Sequence, residues 1–151
     1  MFVYLFFVLR QNLGVTDCDI SARSAFSSAT YAFFVRLHQY ETLARRTLRK
    51  LSKQPNTSST VTEATQLRGS LSKTADFHSW FLHFIHDNLW HARRYPVFRV
   101  LLALNLLGRY LEVFGDDEGV QGKIYTQDMV ENLLACQASE FTEVRSRARK
   151  M

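Results

Sequence analysis

The chain has 151 residues, 46% of them apolar and 22% charged, with a formal net charge of +5. That length supports one domain with a real core, and six glycines and two prolines favour helices over a turn-rich sandwich. Cys18 and Cys136 lie far apart and match no metal or redox spacing, which points to reduced thiols in a cytoplasmic protein. The positive balance permits a nucleic-acid or membrane-surface partner without demonstrating one.

Residues 1–9 are strongly apolar, yet the first cation, Arg10, follows them. A secretory leader needs a positive region before its apolar stretch, and a membrane span needs about twice this length. A short core helix over 1–12, closed by Gly14, is the expected element, and no membrane partner is expected. Asp17 or Asp19 can cap the next helix, 20–53, in which Phe26, Tyr31, Phe33, Phe34, Leu37, Tyr40, Ala44, Leu48 and Leu51 recur at helical spacing. Ser24, Ser27, Ser28 and Thr30 mark a place where so long a helix can bend or break.

From 54 to 74 the composition shifts to loop chemistry, and large apolar residues are few before Phe77. We read this segment as a polar surface linker, with a short helix before Gly69 started by the capping-box pattern Thr60 to Glu63.

Residues 75–115 then read as two apolar helices joined by the basic turn His91-Ala92-Arg93-Arg94-Tyr95-Pro96. Pro96 cannot donate to a helical ladder and biases Tyr95 away from α geometry, but it suits the first turn of the next helix. On a wheel of 100° per residue, Asn105, Arg109 and Glu112 of that helix form one narrow stripe, and Arg99 is the main other polar position. A helix apolar nearly all round is buried among neighbours, and its charges are too closely spaced for a bilayer.

An acidic turn at 116–119 lacks the ligand pattern of a calcium loop and reads as solvated. Thr126 and Asp128 start a helix through Met129, Val130, Leu133, Leu134 and Cys136, and Ser139 caps a last one over 140–151. That helix stops in mid-pattern, and with the apolar start this suggests a piece of something longer. The expected architecture is all-α: antiparallel helix pairs stacked as a fragment of an α-solenoid of HEAT or armadillo type. It divides into N-terminal helices over 1–53, the linker at 54–74, and helix pairs over 75–151 in one continuous segment.

Histidines invite a metal reading, because His83 and His86 share a face with Asp87 close by. There is no HExxH pattern, and His78 points into the apolar arc, so solvated or packed histidines account for the series and no metal is expected. No phosphate loop, Gly-x-Ser-x-Gly elbow or local Cys/His signature is present, so neither catalysis nor a cofactor is expected.

The basic residues form clearer groups. Arg45, Arg46, Arg49, Lys50 and Lys53 lie in two rows on one helix, with Arg68 and Lys73 beyond. Arg93 and Arg94 sit in the central turn, and Arg145, Arg147, Arg149 and Lys150 load the last helix. Such clusters neutralise phosphates, and the candidate RNA- or partner-binding residues are Arg45, Arg46, Arg49, Lys50, Lys53, Arg93, Arg94, Arg145 and Arg149. The plain alternative is a solvated helix face whose cations answer the helix dipole. Trp80 and Trp90 face away from the main apolar arc, either against an adjacent repeat or as exposed anchors.

The pattern Glu140-x-x-x-Val144-Arg145-x-x-Ala148 resembles the second helix of HEAT repeats. Together with Leu89-Trp90, Tyr95-Pro96, Arg99, the run Leu101 to Leu107, Phe114-Gly115, Leu133-Leu134 and Phe141 to Arg145, it makes residues 75–150 similar to the THADA family of long HEAT-like proteins. The chain departs from that family in carrying Arg93-Arg94 before the turn and Val97 after it. The resemblance implies a non-catalytic scaffold that partners an FtsJ-like tRNA ribose methyltransferase and helps hold the tRNA, the methyl donor being bound by the partner. The alternative reading is a general protein-interaction solenoid without an RNA role.

Overall fold

A computed structural model of the protein describes residues 20–55, 57–90 and 97–151. The expected helix over 1–12, its stop at Gly14, Cys18 and the basic turn at 91–96 lie outside the described residues. Six helices follow in order: α1 (Ile20–Leu51), α2 (Ser58–Trp90), α3 (Val97–Phe114), α4 (Glu118–Ile124), α5 (Gln127–Gln137) and α6 (Thr142–Ala148). Among the described residues there is no strand, and the regular structure is all-helical there. No described helix is long and apolar enough to cross a membrane.

The long helix expected over 20–53 forms as one element of 32 residues. Its candidate weak point at Thr30 does not break it, because the Thr30 hydroxyl donates to the Phe26 carbonyl at 2.8 Å and satisfies itself within the helix.

The linker expected at 54–74 is corrected by the structure. Only a short connection separates α1 from α2, and residues 58–74 are the first turns of a 33-residue helix. Thr57 and Thr60 make a reciprocal cap, three residues ahead of the expected one. Thr60 N–H donates to Thr57 Oγ1 at 3.3 Å, and Thr57 N–H donates to Thr60 Oγ1 at 2.9 Å. Two otherwise orphaned backbone donors are thereby satisfied where the helix begins. The Ser/Thr-rich composition that reads as loop is tolerated inside it because Thr62 and Thr65 return their hydroxyls to Ser58 and Val61 carbonyls.

The core is built around α3, which packs against α1, α2 and α6. Val100, Leu102, Ala103, Leu104, Leu106, Leu107, Tyr110 and Phe114 are all buried on it. Asn105, Arg109 and Glu112, the one polar stripe, are half-buried or exposed as the wheel requires. Phe34 of α1 meets Phe81 of α2 and Tyr110 of α3 edge-on at 5.1 and 5.3 Å between ring centroids. Arg99, the other polar position, donates through Nε to Asn88 Oδ1 at 2.7 Å and ties the start of α3 to the end of α2.

The C-terminal helices lie against this three-helix centre, α5 on α2 and α6 on α3. Thr126 caps α5 as expected, accepting from Met129 N–H at 3.3 Å. The last helix starts later than expected, at Thr142, and its cap residue Phe141 contributes no side-chain bond. Val144 and Ala148 are the residues that α6 buries.

Candidate nucleic-acid interface

The two limbs that meet at the α1–α2 connection differ from the rest of the molecule in burial. Ala44 is the last buried residue of α1 and Thr74 the first of α2; between them every described residue is half-buried or exposed. The half-buried apolar ones, Leu48 and Leu51 on α1 and Ala64, Leu67 and Leu71 on α2, recur at helical spacing. They form a narrow apolar stripe on each limb. The result is an arm in which α1 runs about 10 Å past Ala44 and α2 about 24 Å before Thr74.

The arm carries the charge. Between residues 42 and 75 the cations are Arg45, Arg46, Arg49, Lys50, Lys53, Arg68 and Lys73, against the single carboxylate of Glu63. On the α1 limb, 100° per residue places Arg46, Arg49 and Lys50 on the arc opposite Leu48 and Leu51, with Arg45 to one side. The expected basic group on α1 is exposed, and Arg68 and Lys73, expected beyond it in the polar linker, are carried on the α2 limb.

Arg45 is a different case from its neighbours. Its Nη1 donates to Asp117 Oδ2 at 2.9 Å, and its Nη2 lies 3.7 Å from Glu41 Oε2. The Asp117 hydrogen bond outweighs partial burial and holds the guanidinium above its ordinary value. Arg45 is thus a tether at the root of the arm, and Asp117, expected in a solvated turn, is its half-buried partner.

Behind Arg45 a polar chain runs into the core. Glu41 is 2% exposed and His78 4%, and the Tyr110 ring is fully buried. A carboxylate can only accept, so His78 Nε2–H donates to Glu41 Oε1 at 3.0 Å, and the Tyr110 hydroxyl donates to His78 Nδ1 at 2.6 Å. Burial works to raise the Glu41 carboxyl, but the hydrogen bonds of His78 and Thr74 and the Arg45 charge outweigh it and hold it below its ordinary value. Burial pushes the Tyr110 phenol upward, and the Glu41 and Asp117 charges add to that. His78 does sit in the apolar arc, as expected, with Phe114 edge-on at 4.7 Å, but it is bridged on both ring nitrogens. Glu41 and Tyr110 had no sequence signal of their own; each reads as one more position of an amphipathic helix.

The other basic candidates fall elsewhere. Arg145 is withdrawn from any ligand: Nη1 donates to the Ser139 and Glu140 carbonyls at 2.7 and 2.8 Å, and Nη2 to Thr142 Oγ1 at 3.0 Å. It fastens the carbonyls ahead of α6, where Ser139 Oγ accepts from Phe141 N–H at 3.3 Å. Arg149 is exposed at the far end of that helix. Arg93 and Arg94 lie outside the described residues. Arg147 and Lys150 border an open groove of about 940 Å³ beside the polar stripe of α3, where Arg109 pairs with Glu112 at 2.8 Å and covers the Tyr31 ring at 5.3 Å. Of the two tryptophans, Trp80 packs half-buried on Phe84 and Phe77, while Trp90 is 55% exposed.

No family model matches the chain, and no curated protein or solved structure matches it either.

Proposed function

We propose that the protein is a non-catalytic helical scaffold, a segment of a HEAT-like solenoid, that binds RNA phosphates along the α1–α2 arm in the cytoplasm. The observation that carries this reading is the arm itself: besides the tethered Arg45 it has six cations against one carboxylate, and its described residues between Ala44 and Thr74 include no fully buried one. A structure has little reason to extend two helices beyond its core with unbalanced charge unless that charge meets an anion. The resemblance over 75–150 supplies the RNA class and partner, a tRNA presented to an FtsJ-like ribose methyltransferase subunit.

The experiment is tRNA binding by the whole chain across a salt series. With Arg46, Arg49, Lys50 and Lys53 each meeting a phosphate, affinity falls by about 10²-fold between 50 and 200 mM salt. The R46E/R49E/K50E/K53E variant loses that binding and its salt dependence while keeping its helicity. Wild-type affinity in a folded quadruple variant would remove the RNA reading.

A protein-interaction solenoid is the second reading, favoured by exposed Val130 and Leu134, one turn apart on α5, with Phe141 also exposed beyond the helix. It predicts that the folded R46E/R49E/K50E/K53E variant has the same RNA affinity as the wild type, while V130E/L134E abolishes capture of a partner protein.

A further inference from the structure

Toward the end of α2, away from its buried residues Phe81 and Ile85, three side chains with metal-ligating atoms converge. His83, His86 and Asp87 each bring one ligand atom to within 4.8 Å of the others. We propose that this turn binds a divalent transition-metal ion of the zinc type, held by His83, His86 and Asp87, with solvent completing the shell. The site is independent of the arm and of the RNA reading.

Spacing on the helix brings the three together. His83 and Asp87 are i,i+4 and His83 and His86 are i,i+3, so all three project over one turn. His83 Nε2 lies 3.5 Å from Asp87 Oδ2, and His86 Nδ1 lies 3.5 Å from Asp87 Oδ1. Those separations exceed the 2.7–3.2 Å of a good N–H···O bond. They run to the two different oxygens of Asp87, and with one ligand atom from each residue within 4.8 Å of the others, a side-chain adjustment of about an ångström brings the three to the roughly 3.3–3.5 Å edges of a tetrahedral zinc shell.

The ligands are also oriented. The His83 and His86 rings are nearly parallel, with 7° between planes and 6.3 Å between centroids, and His86 stacks on Trp90 at 5.7 Å. His86 Nε2 is buried with no hydrogen-bond partner, which leaves Nδ1 as the nitrogen offered to the cluster. His83 and Asp87 are open to solvent, 75% and 56% exposed, so an ion reaches them without any rearrangement of the core. Two imidazoles and one carboxylate suit zinc, copper or nickel; magnesium prefers an octahedral set of oxygens.

The test is calorimetric titration of the chelator-stripped whole chain with zinc chloride. One zinc binds per chain, H83A and H86A each weaken it by at least about tenfold, and H83A/H86A abolishes it while circular dichroism stays unchanged. Copper, highest in intrinsic affinity for such a site, quenches Trp90 emission in the wild type and not in H83A/H86A. Absence of binding at about 0.1 mM zinc, undiminished binding by the folded double variant, or equal binding of magnesium each overturns the proposal.

Discussion

The Tyr110 hydroxyl donates to Nδ1 of His78 at 2.6 Å, joining α3 to α2 inside the core, and the same imidazole reaches Glu41 of α1 through its other nitrogen. One side chain from each long helix thus meets at a single ring. Arg45, one turn beyond Glu41, extends the chain to Asp117 at the surface. The polar chain therefore fixes how the basic arm leaves the body of the protein.

Removing members of this chain should cost stability unequally. Tyr110→Phe loses one hydrogen bond in an otherwise unchanged ring and costs about 1–2 kcal/mol. Glu41→Ala leaves the buried His78 N–H without its acceptor, takes one carboxylate from Arg45, and costs about 2–3 kcal/mol. Urea unfolding followed by circular dichroism checks both. Folding lowers the Glu41 carboxyl, so its contribution is complete at neutral pH and is lost as pH falls below the ordinary value of 4.5 through the lowered one. Glu41→Gln should flatten that acid limb of the stability profile; an unchanged limb would mean that other carboxylates set it.

Gly69 lies inside α2 on the exposed arm, and a Cβ built there meets nothing within 4 Å. Gly69→Ala should therefore stabilise the arm by about 1 kcal/mol through helix propensity alone. Amide hydrogen exchange across 58–73 should slow, with RNA affinity kept. Faster exchange would show that the arm depends on a break at this position.

Cys136 is buried on α5, and burial pushes its thiol up to about 11. In a Cys18→Ser background the native protein should react with a disulfide reagent at neutral pH only on the timescale of unfolding. Immediate stoichiometric reaction would show that α5 detaches from α2 far more often than its packing implies.

Much of the fold was legible because it rests on local periodicity. The spacing of Phe34, Leu37 and Ala44 located α1 to within two residues, and the narrow stripe of Asn105, Arg109 and Glu112 identified α3 as the buried centre. Within 58–74 the sequence signals only a short helix before Gly69, because Ser and Thr carry a loop preference. Reciprocal capping by Thr57 and Thr60, and hydroxyls turned back to the carbonyls one turn earlier, let the same residues serve a helix. That difference also hid the arm, since the charge of Arg68 and Lys73 matters only once they stand beside α1.

By itself the sequence determined where cations cluster, which helix is apolar on nearly every side, and which residue types could ligate a metal, because each follows from composition and a 3.6-residue period. Only the tertiary structure decided which of them are available. Arg45 and Arg145 belong to the same basic rows as Arg46 and Arg149, yet one is bound to a carboxylate 72 positions away and the other to the carbonyls that open its own helix. Glu41, His78 and Tyr110 share one network although 37 and 32 residues separate them in sequence. Hydrogen bonds act over about 3 Å, and the distances between those side chains are set by how three helices pack.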